Sequence, residues 1–374
     1  MKETLNDKKI EELEQIFVEN GYPKFRAKQV FRQIHVNKVN DFNLMTDLPI
    51  DLRNKLSENY TIDKVRKLEV FESKLDQTKK YLLELDDKNI IEAVFMQYND
   101  RKTICISSQV GCRMACKFCA STKNGLQRNM TSSELIEEVY ELERLNGNIN
   151  NIVIMGIGEP LDNFSNIKRF LEIITDEKGR NLSHRSITLS TSGLCDKIYE
   201  LANSNLDVNL AVSLHYAIDS KRQKFMPIAK KYSIKELIKA CDYYLDKTKR
   251  RVSYEYVVID GINNTDEDLD ALTKLLKGKN AHINLIPLNP IKEFDHGKTK
   301  KKIINEFRDK LTKNGINATI RYSMGEDINA SCGQLRNNYA RWLWNLAQFP
   351  ISEKLEKQMK IHTGISPSII MIFS

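Results

Sequence analysis

Apolar residues recur at helical spacing through the first 60 residues of the chain. One stripe lies between residues 8 and 20 and consists of Ile10, Leu13, Ile16 and Phe17. A second helix is predicted from Pro23 to Arg32, because proline is favoured in the first turn of a helix, and a third is predicted over 49–59. Basic residues are interleaved with the apolar residues of the second helix. We therefore predict a helical N-terminal domain over residues 1–60, whose basic face is either solvated or a contact for nucleic acid.

The pattern changes to a period of two between residues 61 and 100. Runs rich in β-forming residues cover 65–71, 81–85 and 90–96. They are separated by Asp76-Gln77 and Asp86-Asp87, which are typical of turns. The sequence therefore predicts a short antiparallel β extension over residues 61–100.

From residue 101 the chain alternates between strand and helix patterns. The predicted strands lie near 103–108, 151–155, 185–190, 208–214, 252–259 and 282–287. Helices are predicted between them, including one that begins with a capping box at 131–134 and others over 233–246 and 266–277. Repeated strand–helix units indicate a parallel sheet, and six units are fewer than the eight of a closed barrel. The expected fold class is α/β, with a partial (β/α)6 barrel over residues 101–323 and ligand sites at the carboxyl ends of its strands.

Two segments follow the predicted barrel. Residues 324–336 contain Cys332, which is flanked by small residues. A cysteine in such a loop can enter a site from outside the barrel, although free cysteines are more commonly buried in a core. Residues 337–374 form a tail to which we assign no role, and within it 341–346 contains both tryptophans and is a candidate helix.

Composition and charge limit the class of protein. The chain has 374 residues, of which 41% are hydrophobic and 29% charged, as in ordinary soluble globular proteins. A net charge of +8 is compatible with a nucleic-acid partner or with solubility alone. Residues 1–20 lack the apolar core of a signal peptide, and no apolar run approaches the ~20 residues that span a bilayer. The odd number of cysteines, seven, favours a reducing compartment. We expect a cytoplasmic protein without a membrane segment.

Three cysteines share one short loop directly after the first predicted barrel strand. They have the spacing C-x3-C-x2-C and are Cys112, Cys116 and Cys119. Three thiolates can hold three irons of a [4Fe–4S] cluster and leave the fourth iron open to a substrate or cofactor. A structural zinc site uses four protein ligands, and an electron-transfer cluster is normally bound by cysteine at every iron. The spacing therefore favours an open-iron cluster, and the alternatives are buried core cysteines or a zinc site completed from elsewhere.

Candidate ligand-binding residues follow the ends of the other predicted strands. They are Gly158, Glu159, Ser190, Ser213, Leu214, His215 and Asn289. A glycine such as Gly158 allows a ligand to approach the backbone closely, and the Glu159 carboxylate can accept from an amine. The Asn289 amide can donate to and accept from an adenine edge. The alternatives are a tight turn at the glycines and a purely structural role for His215.

The cysteine spacing, with the aromatic Phe118 before the last cysteine, resembles the signature of the radical S-adenosylmethionine (SAM) superfamily. Other motifs make the resemblance more specific. They are the runs at 103–112, 158–163, 189–193, 213–215, 226–228 and 332–335. Together they closely resemble the RlmN/Cfr family of radical SAM adenine methyltransferases, over about residues 20–336.

The resemblance implies a radical SAM barrel whose cysteine loop holds a [4Fe–4S] cluster with one iron open to SAM. It also implies that two SAM molecules are used per turnover and that the strand-end residues named above contact SAM. The expected substrates are an adenosine in the peptidyl-transferase centre of 23S rRNA and an adenosine in certain tRNAs. The expected partners are these RNAs and an electron donor such as flavodoxin with flavodoxin reductase. The protein is expected to act as a monomer.

The mechanism of the family implies roles for three further residues. Cys332 takes a methyl group from one SAM, a radical made from a second SAM removes a hydrogen from that methyl group, and the methylene radical adds to the adenine carbon. Glu92 is implied as the acceptor of the ring proton, although its strand pattern alone predicts an exposed residue. Cys105 then attacks the sulfur of Cys332, which releases the methylated RNA and leaves a transient disulfide.

Family members methylate either C2 or C8 of the adenine. The runs 109–112 and 158–161 resemble those of the C2 enzymes. The alternatives are C8 methylation, a zinc-dependent RNA-binding protein without catalysis, and a radical SAM enzyme that acts on a protein. In the last case the motif at 332–335 would lack a purpose. Cys195 and Cys241 match no motif and are expected in the core.

Overall fold

The computed structural model describes residues 2–336, so the predictions for the tail 337–374 lie outside the described residues. The N-terminal part confirms the three predicted helices. Its elements are β1 (Glu3–Thr4), α1 (Ile10–Glu19), α2 (Lys24–His35), α3 (Ile50–Asn59) and β2 (Tyr60–Thr61). The apolar stripe of α1 is buried, and β1 pairs in parallel with β2. This pairing joins the two ends of the helical part.

The predicted antiparallel extension is also confirmed. It consists of β3 (Arg66–Glu72), β4 (Lys79–Glu84) and β5 (Ile90–Tyr98), and β5 pairs antiparallel with β6 (Arg101–Ile106). A separate two-stranded hairpin follows, formed by β7 (Gln109–Gly111) and β8 (Leu126–Asn129). β5 is hydrogen-bonded to β4 along one edge and to β6 along the other, and its side chains from Ile90 to Met96 are buried on both faces.

The remaining strands alternate with helices. The elements are α4 (Ser132–Asn146), β9 (Asn151–Ile154), α5 (Phe164–Ile174), β10 (Ile187–Thr191), α6 (Cys195–Ala202), β11 (Asn209–Ser213), α7 (Asp219–Phe225), α8 (Ile234–Thr248), β12 (Val252–Val258), α9 (Asp266–Leu276), β13 (Ala281–Pro287), α10 (Lys301–Lys313) and β14 (Ala318–Ile320). The predicted capping box is present, because the Thr131 hydroxyl accepts from the N–H of Glu134 and the Glu134 carboxylate accepts from the N–H of Thr131.

All of these strands join one ten-stranded sheet in the order β14-β13-β12-β11-β10-β9-β6-β5-β4-β3. Seven neighbouring strands of this sheet are parallel, and they are β6, β9, β10, β11, β12, β13 and β14. The first six confirm the predicted barrel strands, and β14 adds a short seventh. The parallel strands end on one side of the sheet, which is where the candidate residues follow them. None of the helices within residues 2–336 has the length and apolarity needed to cross a membrane.

Candidate active site

The cysteine motif lies on the loop between β7 and β8, just beyond the carboxyl end of β6. The backbone N–H of Cys112 donates to the carbonyl of Gly125 at 3.0 Å and closes the base of this loop. The N–H of Lys117 donates at 3.0 Å to the carbonyl of Phe225, the last residue of α7. The cysteine loop, residues 112–119, is therefore fixed by the hairpin at its base and by α7 further along.

A cavity adjoins the cysteine loop and encloses about 980 Å³ of atom-free space, counting its open mouth. We call it the first cavity. Its walls include most of the residues predicted to bind the cluster or SAM. They are Cys112, Cys116, Cys119, Gly158, Glu159, Ser190, Ser213, His215 and Asn289. Leu214, which was predicted with them, is fully buried in the main hydrophobic core, so its side chain serves packing. Cys332 also lines this cavity.

The donors of the cysteine loop fit an iron–sulfur cluster. Burial raises the pKa of Cys112 to about 12 and raises the pKa of Cys116 well above its usual value. Such thiols give up their protons to a metal centre that stabilises the thiolate. Within residues 2–336, no three His, Cys, Asp or Glu side chains converge as the ligands of a single metal ion would. The three thiols share one loop at the wall of the first cavity, which is the arrangement that a cluster held by three cysteines requires.

Glu159 is buried at the end of β9 and ties it to the end of β10. Its Oε2 accepts from the N–H of Ser192 at 2.6 Å, and its Oε1 accepts from the N–H of Leu161 at 3.2 Å. Burial raises the pKa of the Glu159 carboxyl group, and the hydrogen bonds from Ser192 oppose that change. Because the carboxylate also lines the first cavity, a cationic ligand group such as an amine would stabilise its charged form.

The glycines before Glu159 have a packing role. A Cβ on Gly156 would lie 2.6 Å from the carbonyl oxygen of Ile106, and a Cβ on Gly158 would lie 2.6 Å from Oγ of Ser108. Gly158 also has a φ of 114°, which strains residues that carry a side chain. The sequence predicts that Gly158 admits a ligand to the backbone. The structure adds that both glycines allow the segment after β9 to pack against the segment after β6.

His215 follows β11 and lines the first cavity with its ring edge-on to Phe118, at a centroid separation of 4.9 Å. Its Nδ1 accepts from the N–H of Val257 at 3.0 Å, so the neutral ring carries its proton on Nε2. Burial lowers the pKa of His215 to about 3, which keeps the ring neutral. His215 is thus both a structural histidine, through Nδ1, and a wall of the cavity.

The Cys332 loop, which we define as residues 324–336, is tied to both the cysteine loop and the end of β13. The N–H of Ala120 donates to the carbonyl of Gly333 at 2.7 Å, and the Ser121 hydroxyl donates to the carbonyl of Leu335 at 2.8 Å. These bonds attach the segment directly after Cys119 to the segment directly after Cys332.

Asn289, which also lines the first cavity, makes the third connection. The prediction is that its amide binds an adenine edge. In the structure Nδ2 donates to the carbonyl of Cys332 at 3.1 Å, and Oδ1 accepts from the Ser323 hydroxyl at 2.9 Å. To bind an adenine through both atoms, Asn289 would have to exchange these bonds.

A second cavity adjoins the first at Cys332 and encloses about 530 Å³, counting its mouth. It is lined by Val94 and Met96 of β5, by Cys105 of β6 and by part of the Cys332 loop. Cys332 is exposed and lines both cavities, whereas Cys105 is buried and lines only the second. Burial raises the pKa of Cys105 to about 12, and the proximity of Cys332 adds to this increase. The structure therefore brings the two cysteines together in one cavity.

Glu92 is 1% exposed, so the strand pattern that predicts an exposed residue is wrong. It lies on β5 two residues before Val94, on the face of the strand that lines the second cavity. Its Oε1 lies 3.5 Å from Nζ of Lys80, and its Oε2 accepts from the N–H of Arg336 at 2.7 Å. The carboxylate is therefore held between a buried cation and the end of the Cys332 loop.

Two residues of the site were missed by the sequence analysis. Arg321, just after β14, has its Nη1 3.6 Å from Oε2 of Glu255 on β12, and it also donates to the sulfur of Met155. Arg321 lines both cavities, and Glu255 lines the first. The charge of Cys332 is the largest cause that raises the pKa of Arg321, and burial opposes it. The available signal for Arg321 was its position at the end of an apolar-alternating run, directly before the Cys332 loop.

Family models match two separate parts of the chain. Residues 106–276 match the radical SAM superfamily, which covers the cysteine loop and the strands from β9 to β12. Residues 4–62 match the ribosomal RNA large subunit methyltransferase N-terminal domain, which covers the three N-terminal helices.

Individual relatives match over nearly their whole length. A protein of Lachnoclostridium phytofermentans named probable dual-specificity RNA methyltransferase RlmN is 50% identical over 331 residues, which are 88% of this chain and 93% of the relative. A protein of Finegoldia magna with the same name is 48% identical over 335 residues, 89% of this chain and 96% of the relative. The crystal structure of a radical SAM methyltransferase from Sphaerobacter thermophilus is 40% identical with a TM-score of 0.85, and it covers 90% of this chain and 100% of its own. The chain therefore belongs to the RlmN family of radical SAM enzymes.

Proposed function

We propose that this protein methylates C2 of an adenosine in the peptidyl-transferase centre of 23S rRNA and of an adenosine in certain tRNAs. The observation that carries the proposal is that Cys332 lines both cavities. The first cavity presents the cysteine loop, and the second presents Cys105. A thiol at their junction can accept a methyl group on one side and deliver a one-carbon unit to a base on the other. The names of the relatives support RNA as the substrate.

Membership of the radical SAM superfamily implies a [4Fe–4S] cluster and SAM. When bound, they supply the methyl group and a radical that removes hydrogen. Cys112, Cys116 and Cys119 hold the cluster, and the other strand-end residues of the first cavity bind SAM. Among these, Glu159 faces the amine of SAM, because its buried carboxylate is the candidate acceptor for a cation at that end of the cavity.

Cys332 acts first as the methyl acceptor and then as the carrier of the carbon. Its thiolate takes the methyl group, the S-methyl group loses a hydrogen atom, and the remaining carbon radical forms a bond to the adenine ring. The resulting ring radical would give up one electron, for which the oxidised cluster would be the acceptor, and then the ring proton. After the ring proton has left, the Cys105 thiolate attacks the sulfur of Cys332. The sulfur–carbon bond then breaks with its electron pair on the carbon, which takes up a proton and becomes the methyl group. The disulfide between Cys105 and Cys332 must be reduced before the next turnover.

Glu92 accepts the ring proton from the adduct. It is the carboxylate on the β5 face that continues into the second cavity, and Lys80 at 3.5 Å stabilises the ionised form that can accept a proton. Its bond to the N–H of Arg336 links this carboxylate to the loop that carries the RNA adduct. The base and the carrier therefore keep a fixed relation to each other.

The experiment is anaerobic reconstitution with iron and sulfide, followed by reaction with 23S rRNA fragments and with tRNA. SAM labelled in its methyl group is supplied with flavodoxin, flavodoxin reductase and a nicotinamide reductant. Mass spectrometry of the digested RNA, against C2-methyl and C8-methyl adenosine standards, identifies the product. We expect C2-methyladenosine in both RNAs and two SAM consumed per methyl group. If the product is C8-methyladenosine, the protein methylates C8 and the proposal of C2 methylation is wrong. If the iron-loaded protein does not cleave SAM, neither methylation reaction is supported.

A further inference from the structure

Arg222 of α7 is 0% exposed and joins the ends of two parallel strands. Its Nη2 donates to the carbonyl of Ser192 at 2.6 Å and to the carbonyl of Ser213 at 3.2 Å, and its Nε donates to the carbonyl of Leu214 at 3.1 Å. These carbonyls belong to the segments that follow β10 and end β11. The guanidinium thus lies beneath the strand ends that we assign to SAM, although Arg222 itself is not part of the cavity wall.

Within residues 2–336 Arg222 forms no salt bridge with a carboxylate, although the charge of Asp219, three positions earlier on α7, acts on it without direct contact. Within the part of the chain that the structure describes, its Nη1 has no hydrogen-bond partner, and the guanidinium is bonded to carbonyls rather than to a carboxylate. Burial lowers the pKa of Arg222, and among the charges that oppose this change Cys116 is the largest. An isolated buried cation is strongly unfavourable unless an anion lies near it. A thiolate of Cys116, formed when a cluster binds, would therefore be the largest charge that acts on Arg222.

Tyr216 provides an independent observation on the same side of the loop. It is fully buried, its ring is stacked on Phe225 at a centroid separation of 5.0 Å, and its hydroxyl has no partner among the described residues. Phe225, at the end of α7, accepts from the N–H of Lys117 next to Cys116. Two buried donor groups without partners, from Arg222 and Tyr216, thus accompany the segment that holds Cys116.

We propose that Arg222 is the counter-charge of the iron–sulfur cluster, a positioning residue that favours binding of the cluster and its reduction. This inference rests on the proposed function in that it requires the cluster. A cubane with three cysteine thiolates carries net negative charge, and one further negative charge is added when an electron enters from the external donor. A fixed cation in the low-dielectric interior stabilises the more negative state and so raises the reduction potential. The cluster in turn compensates the burial of Arg222.

The test compares Arg222→Gln with Arg222→Lys after anaerobic reconstitution. Iron and sulfide content are measured, and the midpoint potential is determined by redox titration followed by electron paramagnetic resonance, without SAM or RNA. Gln removes the charge and keeps an amide donor, whereas Lys keeps the charge and loses the fork of donors. We expect a more negative midpoint potential or a loss of bound iron in the Gln variant, and a potential close to wild type in the Lys variant. Arg250→Gln is the control, because Arg250 also donates to a backbone carbonyl, that of Asp207, away from both cavities.

Three outcomes would overturn the inference. The first is a Gln variant that binds the cluster with the wild-type potential. The second is equal potential shifts in the Gln and Lys variants, which would mark a purely structural role. The third outcome matters if the Gln variant does not fold. If the Lys variant then folds and binds the cluster but its midpoint potential is much more negative than that of wild type, the charge of residue 222 is not what sets the potential. If the wild-type protein assembles no cluster, the proposed function fails together with this inference. If the wild-type protein methylates RNA and the Arg222→Gln variant has the wild-type midpoint potential, only this inference fails.

Discussion

The two cavities meet at Cys332 and differ in the origin of their walls. The first is built at the ends of the parallel strands, with the cysteine loop fixed between the β7–β8 hairpin and α7. The second is built from the antiparallel side, from β5 and β6, and is completed by the Cys332 loop. The first cavity therefore depends on the parallel barrel strands, and the second cavity depends on segments that are far apart in the chain. This difference suggests that cofactor binding and the handling of RNA can be lost separately.

Two cations lie at different depths behind the cavities. Arg222 is completely buried behind the first cavity and bonded to backbone carbonyls. Arg321 lies in the wall that both cavities share, near the carboxylate of Glu255 and the exposed Cys332. A cation behind a wall can act on a bound group only through its field, whereas one in the wall can also contact a reacting thiolate. The following substitutions test this separation.

The largest effect is expected from exchanging a cysteine of one cavity for alanine. Cys332→Ala should abolish methylation and leave the visible iron–sulfur absorption intact, because Cys332 is not one of the three loop thiols. Cys116→Ala should lose that absorption together with SAM cleavage. Absorption spectra and SAM cleavage assays on both variants measure this. If Cys332→Ala lost the cluster, the two cavities would not be separable.

Cys105→Ala should restrict the enzyme to about one turnover, since the adduct between Cys332 and RNA would have no thiol to resolve it. A crosslinked species should accumulate on denaturing gels and disappear on nuclease treatment. Cys241→Ala is the matched control, because Cys241 is buried in the main core away from both cavities. Multiple turnovers by the Cys105 variant would remove it from the mechanism.

Glu92→Gln should slow methylation by roughly 10²–10⁴-fold, the usual contribution of a positioned general base. The amide still accepts from the N–H of Arg336, so the loop should remain in place. The same crosslink should accumulate before the proton leaves, at unchanged cluster content. Glu84→Gln on the neighbouring strand is the control, as Glu84 is also buried and pairs with Lys88. Equal rates for the Glu92 variant and wild type would exclude the role.

Resolution of the adduct should accelerate with pH. Burial is the main cause that raises the pKa of Cys105, and it persists in the adduct, where Cys332 carries no charge. The Cys105 thiol is therefore mostly protonated at neutral pH, and the thiolate gains about tenfold per pH unit below its pKa. Release of RNA from preformed adduct, measured by quenching at pH 7, 8 and 9, should follow this slope until another step limits it. A rate that falls with rising pH would mean that deprotonation of Cys105 does not control resolution.

The smallest effect is expected at Arg321. Arg321→Met should slow alkylation of the exposed Cys332 by iodoacetamide several-fold, because the guanidinium lies in the same cavity wall as the sulfur and attracts negative charge there. Arg321→Lys should retain most of the rate. Mass spectrometry of the peptide that contains residue 332 measures the reaction. Equal rates in the Met variant and wild type would show that the cation in the second cavity does not act on the thiol.

Much of the fold and of the first cavity follows from local sequence patterns. The barrel strands and the cysteine loop lie close together in the sequence or repeat regularly, so their periodicity predicts them. The strand β14 is missed as a barrel strand because three residues carry too little pattern. The Leu214 side chain is buried whereas Ser213 and His215 line the first cavity, because adjacent residues on an extended chain face opposite sides.

The second cavity is less visible in the sequence. The Glu92 carboxylate is covered by Lys80 of the neighbouring strand and by Arg336 at the end of the Cys332 loop, and an isolated strand pattern does not contain those contacts. The bonds from Asn289 to Cys332 and Ser323 likewise join positions more than 30 residues apart. Arg222 carries no motif at all, and its environment is formed by carbonyls of other segments. Such contacts become predictable only after the topology is known.

The attachments of the Cys332 loop also set an order of assembly. Its bonds to Ser121 and Glu92 close separations of 214 and 244 residues along the chain. Contacts of such long range carry a high loop-closure entropy and tend to form late in folding. We therefore expect the Cys332 loop to dock after the segment at Ser121 and the strand that carries Glu92 have formed.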